Sequence, residues 1–346
     1  MPADTLSPAA VSDEDKVRFL ASARAHGGVR PEVIETHMSW AFAAGDRVLK
    51  LKKPVRMPFL DFSTLEARHF NCSEEVRLNR RLAPGVYLGV VPLVRTSAGA
   101  LAVGPPDDAP GEVVDWLVAM RRLPAARFLD AALRAGAVSA LDIDRLGDRL
   151  AQFFAAARRV DISGKQYVQR FEALQAANRS VLLGPSFAEL KAGPVLDAAD
   201  ALLSRHAALL GERAERGHVR EGHGDLRPEH IALNDAPVVI DCLEFNAALR
   251  EVDPFDELAF LGLECRMLGA PWIESRLIDH VAGALGEQPP AAVRSLYGAF
   301  RALLRARLSA AHLLDSQPRT RERWLPQAAR YLAEARAALA GATSPS

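Results

Sequence analysis

Two neighbouring stretches decide how this chain folds: HGDLRPEHI at residues 223–231 and VVIDCLE at residues 238–244. They are separated by a segment that contains the turn-forming pair Asn234-Asp235, and the second stretch begins with a β-branched run typical of a strand. The pattern therefore predicts a loop, a turn and a short strand that delivers a carboxylate. Phosphoryl transfer uses such an arrangement, with one Asp that orients the acceptor hydroxyl and a second Asp that holds Mg²⁺.

The residues of this region resemble the motifs of the aminoglycoside phosphotransferase and choline kinase group, which has a protein-kinase-like fold. The group's catalytic loop reads HGDLHxxNI and its next motif reads IDxxE, whereas this chain has HGDLRPEHI and IDCLEF. The sequence DPFDELA at 253–259 resembles the group's DxxxDLA helix start, and we expect Asp256 to brace the catalytic loop from there. Three ordered matches are more specific than one motif. The resemblance is to a subgroup whose members are sometimes fused to a C-terminal P-loop kinase.

The resemblance implies roles for five residues of the two stretches. Asp225 would accept or orient the proton of the acceptor hydroxyl, and His223 would organise the backbone of the catalytic loop. Asp241 would be a metal ligand, with His230 or Glu244 completing the metal shell. His230 is the main departure from the group, because it replaces the metal-binding Asn.

Two lysines are candidates for binding the phosphates of a nucleotide. Lys50 and Lys52 alternate with leucines, so both lie on one face of a predicted strand over 48–52. In the resembled fold the Lys of the third strand pairs with the α- and β-phosphates, which makes Lys50 the first candidate and Lys52 the second. A solvated strand face would show the same alternation.

A predicted helix, capped by Ser63 or Thr64 and running to about Arg81, carries the expected acidic partner of these lysines. The first helix of the resembled fold supplies a Glu that pairs with the strand Lys. Glu75, next to a core-facing Val, is our choice. An exposed pair of Glu74 and Glu75 is the alternative.

The remaining nucleotide-binding candidates depend on the order of the predicted elements. The sequence has no GxGxxG between the first two strands, and Ser39 lies where the resembled group often has a shorter loop with a Ser. Its hydroxyl and N–H would contact phosphate, unless Ser39 is an ordinary hairpin residue. Val114 and Leu117 would line an adenine site in a hinge over 112–120, although an ordinary strand would contain the same residue types.

Strands are predicted in the first third of the chain and helices from about residue 125 onward. This pattern predicts an α+β protein with the two-lobed protein-kinase-like fold, a small β-rich N-lobe and a larger helical C-lobe. The predicted divisions are an N-terminal lead-in and helix at 1–29, the N-lobe at 30–111, the hinge at 112–120, and the C-lobe at 121–346 with its catalytic loop at 223–231.

The composition gives no sign of nucleic-acid or membrane binding. The chain has 346 residues, a formal net charge of +0 and 49% hydrophobic residues. It contains no apolar run of the ~18 residues that a membrane helix needs, and residues 1–15 do not resemble a secretory signal. Three cysteines without a CxxC pair are typical of reduced thiols, so we expect a cytoplasmic protein.

The sequence therefore predicts a phosphotransferase that uses ATP and Mg²⁺, with Mn²⁺ as an alternative metal, and acts on a hydroxyl group of a small molecule. The alternative is a non-catalytic nucleotide-binding or interaction module, because His replaces Asn at position 230 and the Gly-rich loop is missing. The acceptor, the choice between ATP and GTP, and the oligomeric state are left open by the sequence.

Overall fold

A computed structural model describes residues 11–57, 59–105, 111–314 and 321–341. The start of the predicted lead-in (1–10), part of the loop at the end of the predicted N-lobe (106–110) and the last residues of the predicted C-lobe (342–346) lie outside the described residues.

The described residues form short strands and a series of helices, with most strand residues before residue 125. The strands are β1 (Glu32–Glu35), β2 (Ser39–Ala44), β3 (Arg47–Lys52), β4 (Arg56–Met57), β5 (Leu60–Asp61), β6 (Tyr87–Arg95), β7 (Leu101–Val103), β8 (Glu112–Arg121), β9 (Arg220–Glu221), β10 (Ile231–Ala232), β11 (Val238–Val239) and β12 (Glu251–Val252). The α-helices are α1 (Asp13–Leu20), α2 (Leu65–Asn79), α3 (Leu129–Arg134), α4 (Ala140–Ala156), α5 (Gly164–Leu182), α6 (Gly193–Glu215), α7 (Ala247–Arg250), α8 (Pro254–Met267), α9 (Trp272–Leu285), α10 (Ala291–Ala311) and α11 (Arg321–Gly341). Short 3₁₀ helices are Ala23–His26, Ala125–Arg127, Pro185–Leu190, Pro228–His230 and His312–Leu314.

The chain divides into two compact units. The first unit contains the described residues up to Ala125 together with Val238–Asn246, and the second contains residues 126–237 and those from Ala247 onward. The segment Val238–Asn246, which carries the second of the two deciding stretches, therefore belongs to the strand-rich unit. The residues predicted as a hinge, 112–120, lie within strand β8.

The first unit is built on a six-stranded antiparallel sheet with the strand order β1-β2-β3-β8-β6-β7. Side chains alternate between the two faces of a strand. Leu49 and Leu51 of β3 therefore pack with Leu20 of α1 on one face. The intervening Val48 packs with the cluster that includes Val76 of α2 on the other face. This alternation directs Lys50 and Lys52 toward the face that α2 covers.

Helix α2 begins after the second of the two predicted caps. Thr64 is its N-cap, and the Thr64 hydroxyl accepts the N–H of Ala67 at 3.1 Å. Its buried side chains include Cys72 and Val76, and also Glu75, which is fully buried. The alternative prediction, that Glu74 and Glu75 form an exposed pair, is therefore wrong for Glu75.

The second unit is helical, and helix α10 packs against α5, α6, α8 and α11. Leu296, Phe300 and Leu303 of α10 are buried to 1% exposure or less. The prediction of a strand-rich first part followed by a helical remainder is confirmed. No helix of the described part of the chain combines the length and apolar character needed to cross a membrane.

Asp256 does not brace the catalytic loop, so that expectation is wrong. Its carboxylate binds the guanidinium of Arg301 on α10 through two hydrogen bonds of 2.7 Å each. Burial raises the pKa of Asp256, and Arg301 opposes this rise. The pair ties the first turn of α8 to α10.

We predict that Arg301→Met lowers the free energy of unfolding by about 3–5 kcal/mol, because it leaves the buried Asp256 without its partner. Urea denaturation measures the change. Arg276→Met is the matched control, since Arg276 binds Asp144 with the same two 2.7 Å contacts on an exposed surface. Equal losses in the two variants would contradict the role assigned to burial.

Candidate active site

Glu257, in the first turn of α8, holds the catalytic loop. Its carboxylate accepts the backbone N–H of His223 at 2.9 and 3.0 Å and also the N–H of Gly224. A Cβ on Gly222 would lie 2.7 Å from Glu257 Oε2, so the close approach of the carboxylate requires glycine at position 222. Burial raises the pKa of Glu257 to about 7, although the two N–H groups favour its ionised form.

Asp225 follows directly in this loop. Its N–H donates to Nδ1 of the fully buried His223 at 3.3 Å, and its side chain is 30% exposed. Arg227, which was not a candidate in the sequence, lies beside it, with Nε 3.0 Å from Asp225 Oδ1. Arg227 also contacts Glu229 Oε1 at 2.8 Å. The loop therefore presents one partly exposed carboxylate whose position is supported by a guanidinium.

His230 is largely buried within the same loop. Its Nδ1 lies 2.8 Å from the backbone carbonyl oxygen of Asp225, so this nitrogen carries a proton and donates it. Its Nε2 lies 3.5 Å from Arg227 Nη2, which is a weak contact with a donor. The ring thus binds other residues of its own loop, and its role as a metal ligand stays a prediction.

In the first unit, the second deciding stretch contributes to a cluster of charged side chains. Lys50 Nζ donates to Glu75 Oε1 at 2.9 Å and to Asp241 Oδ1 at 2.8 Å. Lys52 Nζ donates to Glu75 Oε2 at 2.6 Å and to Glu244. Each oxygen of Glu75 therefore binds a different lysine, and each lysine binds a second carboxylate.

These contacts keep both lysines charged, although Lys52 is buried and Lys50 is only 18% exposed. Burial lowers the pKa of Lys50 and Lys52, but the neighbouring carboxylates outweigh it, so that both pKa values are raised. Burial raises the pKa of Glu75, but the two lysines together lower it below its usual value. Burial also raises the pKa of Glu244, in spite of Lys52.

The backbone around Asp241 is held by two side chains that the sequence did not identify as candidates. Asp241 has a φ of 63°, which is unusual for a residue other than glycine. Its N–H donates to the hydroxyl of Tyr87 at 3.1 Å, and the N–H of Cys242 donates to Asn79 Oδ1 at 2.9 Å. Asn79 lies one helical turn after Glu75 on α2, so the two side chains share a face of the helix. This spacing was the signal by which the sequence could have identified Asn79.

The other nucleotide-binding candidates lie in the sheet. The hydroxyl of Ser39 is 3.0 Å from that of Thr36, and the N–H of Ser39 donates to Thr36 Oγ1 at 3.0 Å, so both groups take part in the turn between β1 and β2. Leu117 is fully buried in the cluster beside α1, and Val114 packs against the same cluster. Their roles in nucleotide binding stay predictions.

The first unit offers oxygen ligands that suit Mg²⁺. No group of three or more His, Cys, Asp and Glu side chains is arranged to hold a metal ion within the ranges that the structure describes. However, Asp241, Glu244 and Glu75 supply three carboxylates against the two lysines, and the side chain of Asp241 is 46% exposed. Carboxylate oxygens are the ligand type that Mg²⁺ prefers. Asp241 and Glu244 therefore fit the ion better than the imidazole of His230 does.

We predict that Glu257→Gln destabilises the protein by about 1–3 kcal/mol, because in either orientation the amide turns its NH2 group toward a loop N–H that a Glu257 oxygen accepts in the wild type. The loss should be larger at about pH 5 than at about pH 9, because ionisation of the buried carboxyl weakens the wild type as the pH rises through the raised pKa. Urea denaturation at both pH values measures this difference.

Glu172→Gln is the control, since Glu172 is an exposed residue of α5. It should change the stability little at either pH. A loss for Glu257→Gln that is the same at both pH values would show that Glu257 does not titrate in this range.

The chain has relatives in two mycobacterial species. No family model matches it. Uncharacterized proteins of Mycobacterium tuberculosis and Mycobacterium bovis are 30% identical over 297 residues, which cover 83% of this chain and 56% of each relative. The chain thus spans about half the length of the curated relatives it matches.

Solved structures of kinases are similar over most of the chain. A choline/ethanolamine kinase family protein from Mesorhizobium loti has a TM-score of 0.52 at 16% identity, covering 95% of this chain and 98% of that chain. A thermostable mutant of the aminoglycoside phosphotransferase APH(4)-Ia, in a ternary complex with AMP-PNP and hygromycin B, has a TM-score of 0.55 at 12% identity over 95% of this chain and 99% of that chain. A glucosamine kinase has a TM-score of 0.53 at 14% identity, covering 88% of this chain and 74% of that chain. The chain therefore has the protein-kinase-like fold of the choline kinase and aminoglycoside phosphotransferase group, as the resemblance of its loop predicts.

Proposed function

We propose that this protein is an ATP-dependent kinase that phosphorylates a hydroxyl group of a small molecule. The observation that carries the proposal is the contact of Lys50 with both Glu75 and Asp241. These are the residues that the sequence selects for phosphate positioning and metal binding. The similarity to kinases of small molecules supports the same reaction class.

In the proposed mechanism the first unit binds the nucleotide. Lys50, kept charged by Glu75, donates hydrogen bonds to the phosphates, and Lys52 fixes the second oxygen of Glu75. Asp241 and Glu244 would hold Mg²⁺, which neutralises charge on the phosphates when bound. The N–H contacts at Tyr87 and Asn79 hold the Asp241 backbone in place.

Asp225 of the second unit acts on the acceptor. The acceptor oxygen forms a bond to the γ-phosphorus, and the bond from that phosphorus to the β,γ-bridging oxygen breaks. ADP leaves with the electron pair, and the proton of the hydroxyl goes to Asp225. Because Glu257 holds the N–H groups before Asp225 and Arg227 contacts its carboxylate, the group that receives the proton is positioned before the acceptor binds.

A nucleotide-binding module without catalysis is the second candidate function. The observation that favours it is the engagement of His230 by the backbone of Asp225, at the position where the resembled group has its metal-binding Asn. Binding of ATP with no acceptor-dependent turnover would support this alternative.

We predict that Asp225→Asn lowers acceptor-dependent ADP production by about 10²–10⁴-fold while ATP affinity stays within about twofold, because Asp225 acts on the acceptor and not on the nucleotide. A coupled assay and calorimetry with ATP measure the two quantities. Asp235→Asn, an exposed change in the turn that follows the loop, should leave both unchanged. Activity of Asp225→Asn within a few-fold of wild type would end the assignment.

We predict that Lys50→Met weakens ATP binding by about tenfold or more, because it removes a charged donor to the phosphates. Lys53→Met is the control, since Lys53 Nζ binds Glu35 at 2.6 Å and lies over the ring of Trp40. Calorimetry with ATP gives both affinities, and thermal melts check that each variant is folded. Equal ATP affinities of Lys50→Met and Lys53→Met would contradict the assignment. A larger loss for Lys52→Met than for Lys50→Met would assign phosphate binding to Lys52, the next residue on that face of β3.

A further inference from the structure

A cavity of about 470 Å³ in the second unit is lined by residues of α3, α8, α10, α11 and the catalytic loop. Small-molecule sites have volumes of roughly 300–1,000 Å³, so the cavity has the size for a monosaccharide. Glu229, four residues after Asp225, contributes to its lining.

One guanidinium, that of Arg227, joins the lining residue Glu229 to Asp225. Arg227 contacts Asp225 Oδ1 at 3.0 Å and Glu229 Oε1 at 2.8 Å. Arg305, also in the lining, binds Glu264 at 2.7 Å; burial lowers the pKa of Arg305, but Glu264, Tyr331 and Asp225 raise it. A molecule in this cavity would therefore lie close to the group that takes the proton in the proposed reaction.

The carboxylates of the lining are already paired with guanidinium groups. The pairs are Asp130 with Arg134 at 2.6 Å, Glu229 with Arg227 at 2.8 Å, and Glu264 with Arg305 at 2.7 Å. Glu264 also accepts the hydroxyl of Tyr331 at 2.9 Å. A cationic ligand would have to take a carboxylate from one of these pairs, which is costly where the pair is buried.

Two further guanidinium groups in the lining contact neutral oxygens. Arg323 Nε donates to Gln327 Oε1 at 3.2 Å, and Arg330 Nη2 donates to the carbonyl oxygen of Met267 at 3.0 Å. The lining thus has four guanidinium groups against three carboxylates. Guanidinium groups bind carboxylates and phosphates through two parallel hydrogen bonds.

We propose that this cavity binds the acceptor, and that the acceptor is a hydroxyl-bearing molecule of monosaccharide size that also carries an anionic group. Arg323 and Arg330 bind the anionic group, and a hydroxyl of the same molecule faces Asp225. This inference rests on the proposed function for the reaction, but the charge preference of the cavity can be tested without it.

Glucuronate, glucose and glucosamine are matched probes, because they share a pyranose ring and differ in bearing an anionic, a neutral or a cationic group. Calorimetry of the full chain without nucleotide should give an affinity for glucuronate about tenfold or more above that for glucose, with glucosamine the weakest. Arg323→Gln and Arg330→Gln should each reduce the affinity for glucuronate toward that for glucose.

Arg336→Gln is the control, because Arg336 is exposed on the same helix and does not line the cavity. It should bind glucuronate as the wild type does. Glucosamine binding as tightly as glucuronate, no binding of any probe, or an equal loss in Arg336→Gln would overturn the inference. If glucuronate binds but no ADP forms, the result counts against the proposed reaction and not against the charge preference of the cavity. If glucosamine binds more tightly than glucuronate and is phosphorylated, the result counts against the charge preference and not against the reaction.

Discussion

The sharing of one buried carboxylate by two lysines is the constraint on which the first unit depends. Glu75 is fully buried, and each of its oxygens binds one ammonium group of β3. An isolated charge in such a place would be costly, so the three groups are stable only together. Because the lysines each contact a further carboxylate, the arrangement also fixes Asp241 and Glu244, which come from a segment far along the chain.

Backbone N–H groups are the second means by which the candidate site is held. Glu257 accepts two of them before Asp225, while Tyr87 and Asn79 accept those of Asp241 and Cys242. In the second unit, the bound backbone directly precedes Asp225. In the first unit, it includes Asp241 itself. Both carboxylates with proposed roles are thus positioned by side chains from other elements. This arrangement agrees with a reaction that depends on positioning and charge more than on covalent chemistry.

The sequence predicted the features that follow local patterns. Alternation placed Lys50 and Lys52 on one face of β3, and the resemblance, together with the neighbouring core-facing Val76, selected Glu75 as their partner. The sequence could not show which of the adjacent residues Asp256 and Glu257 holds the catalytic loop. Asp256 binds Arg301, and Glu257 binds the loop N–H groups, but these partners are distant in the sequence. The bond between Asn79 and Cys242 joins residues 163 positions apart, and no local pattern contains it.

We propose that the chain transfers phosphate from ATP to a small molecule. The direct measurement is mass balance in a reaction of the full chain with ATP, Mg²⁺ and hydroxyl-bearing acceptors, including sugars, sugar acids and amino-alcohols. We expect ADP to form only when an acceptor is present, with one phosphorylated acceptor for each ADP. Binding of ATP without acceptor-dependent ADP, across that panel and with Mn²⁺ in place of Mg²⁺, would contradict the claim.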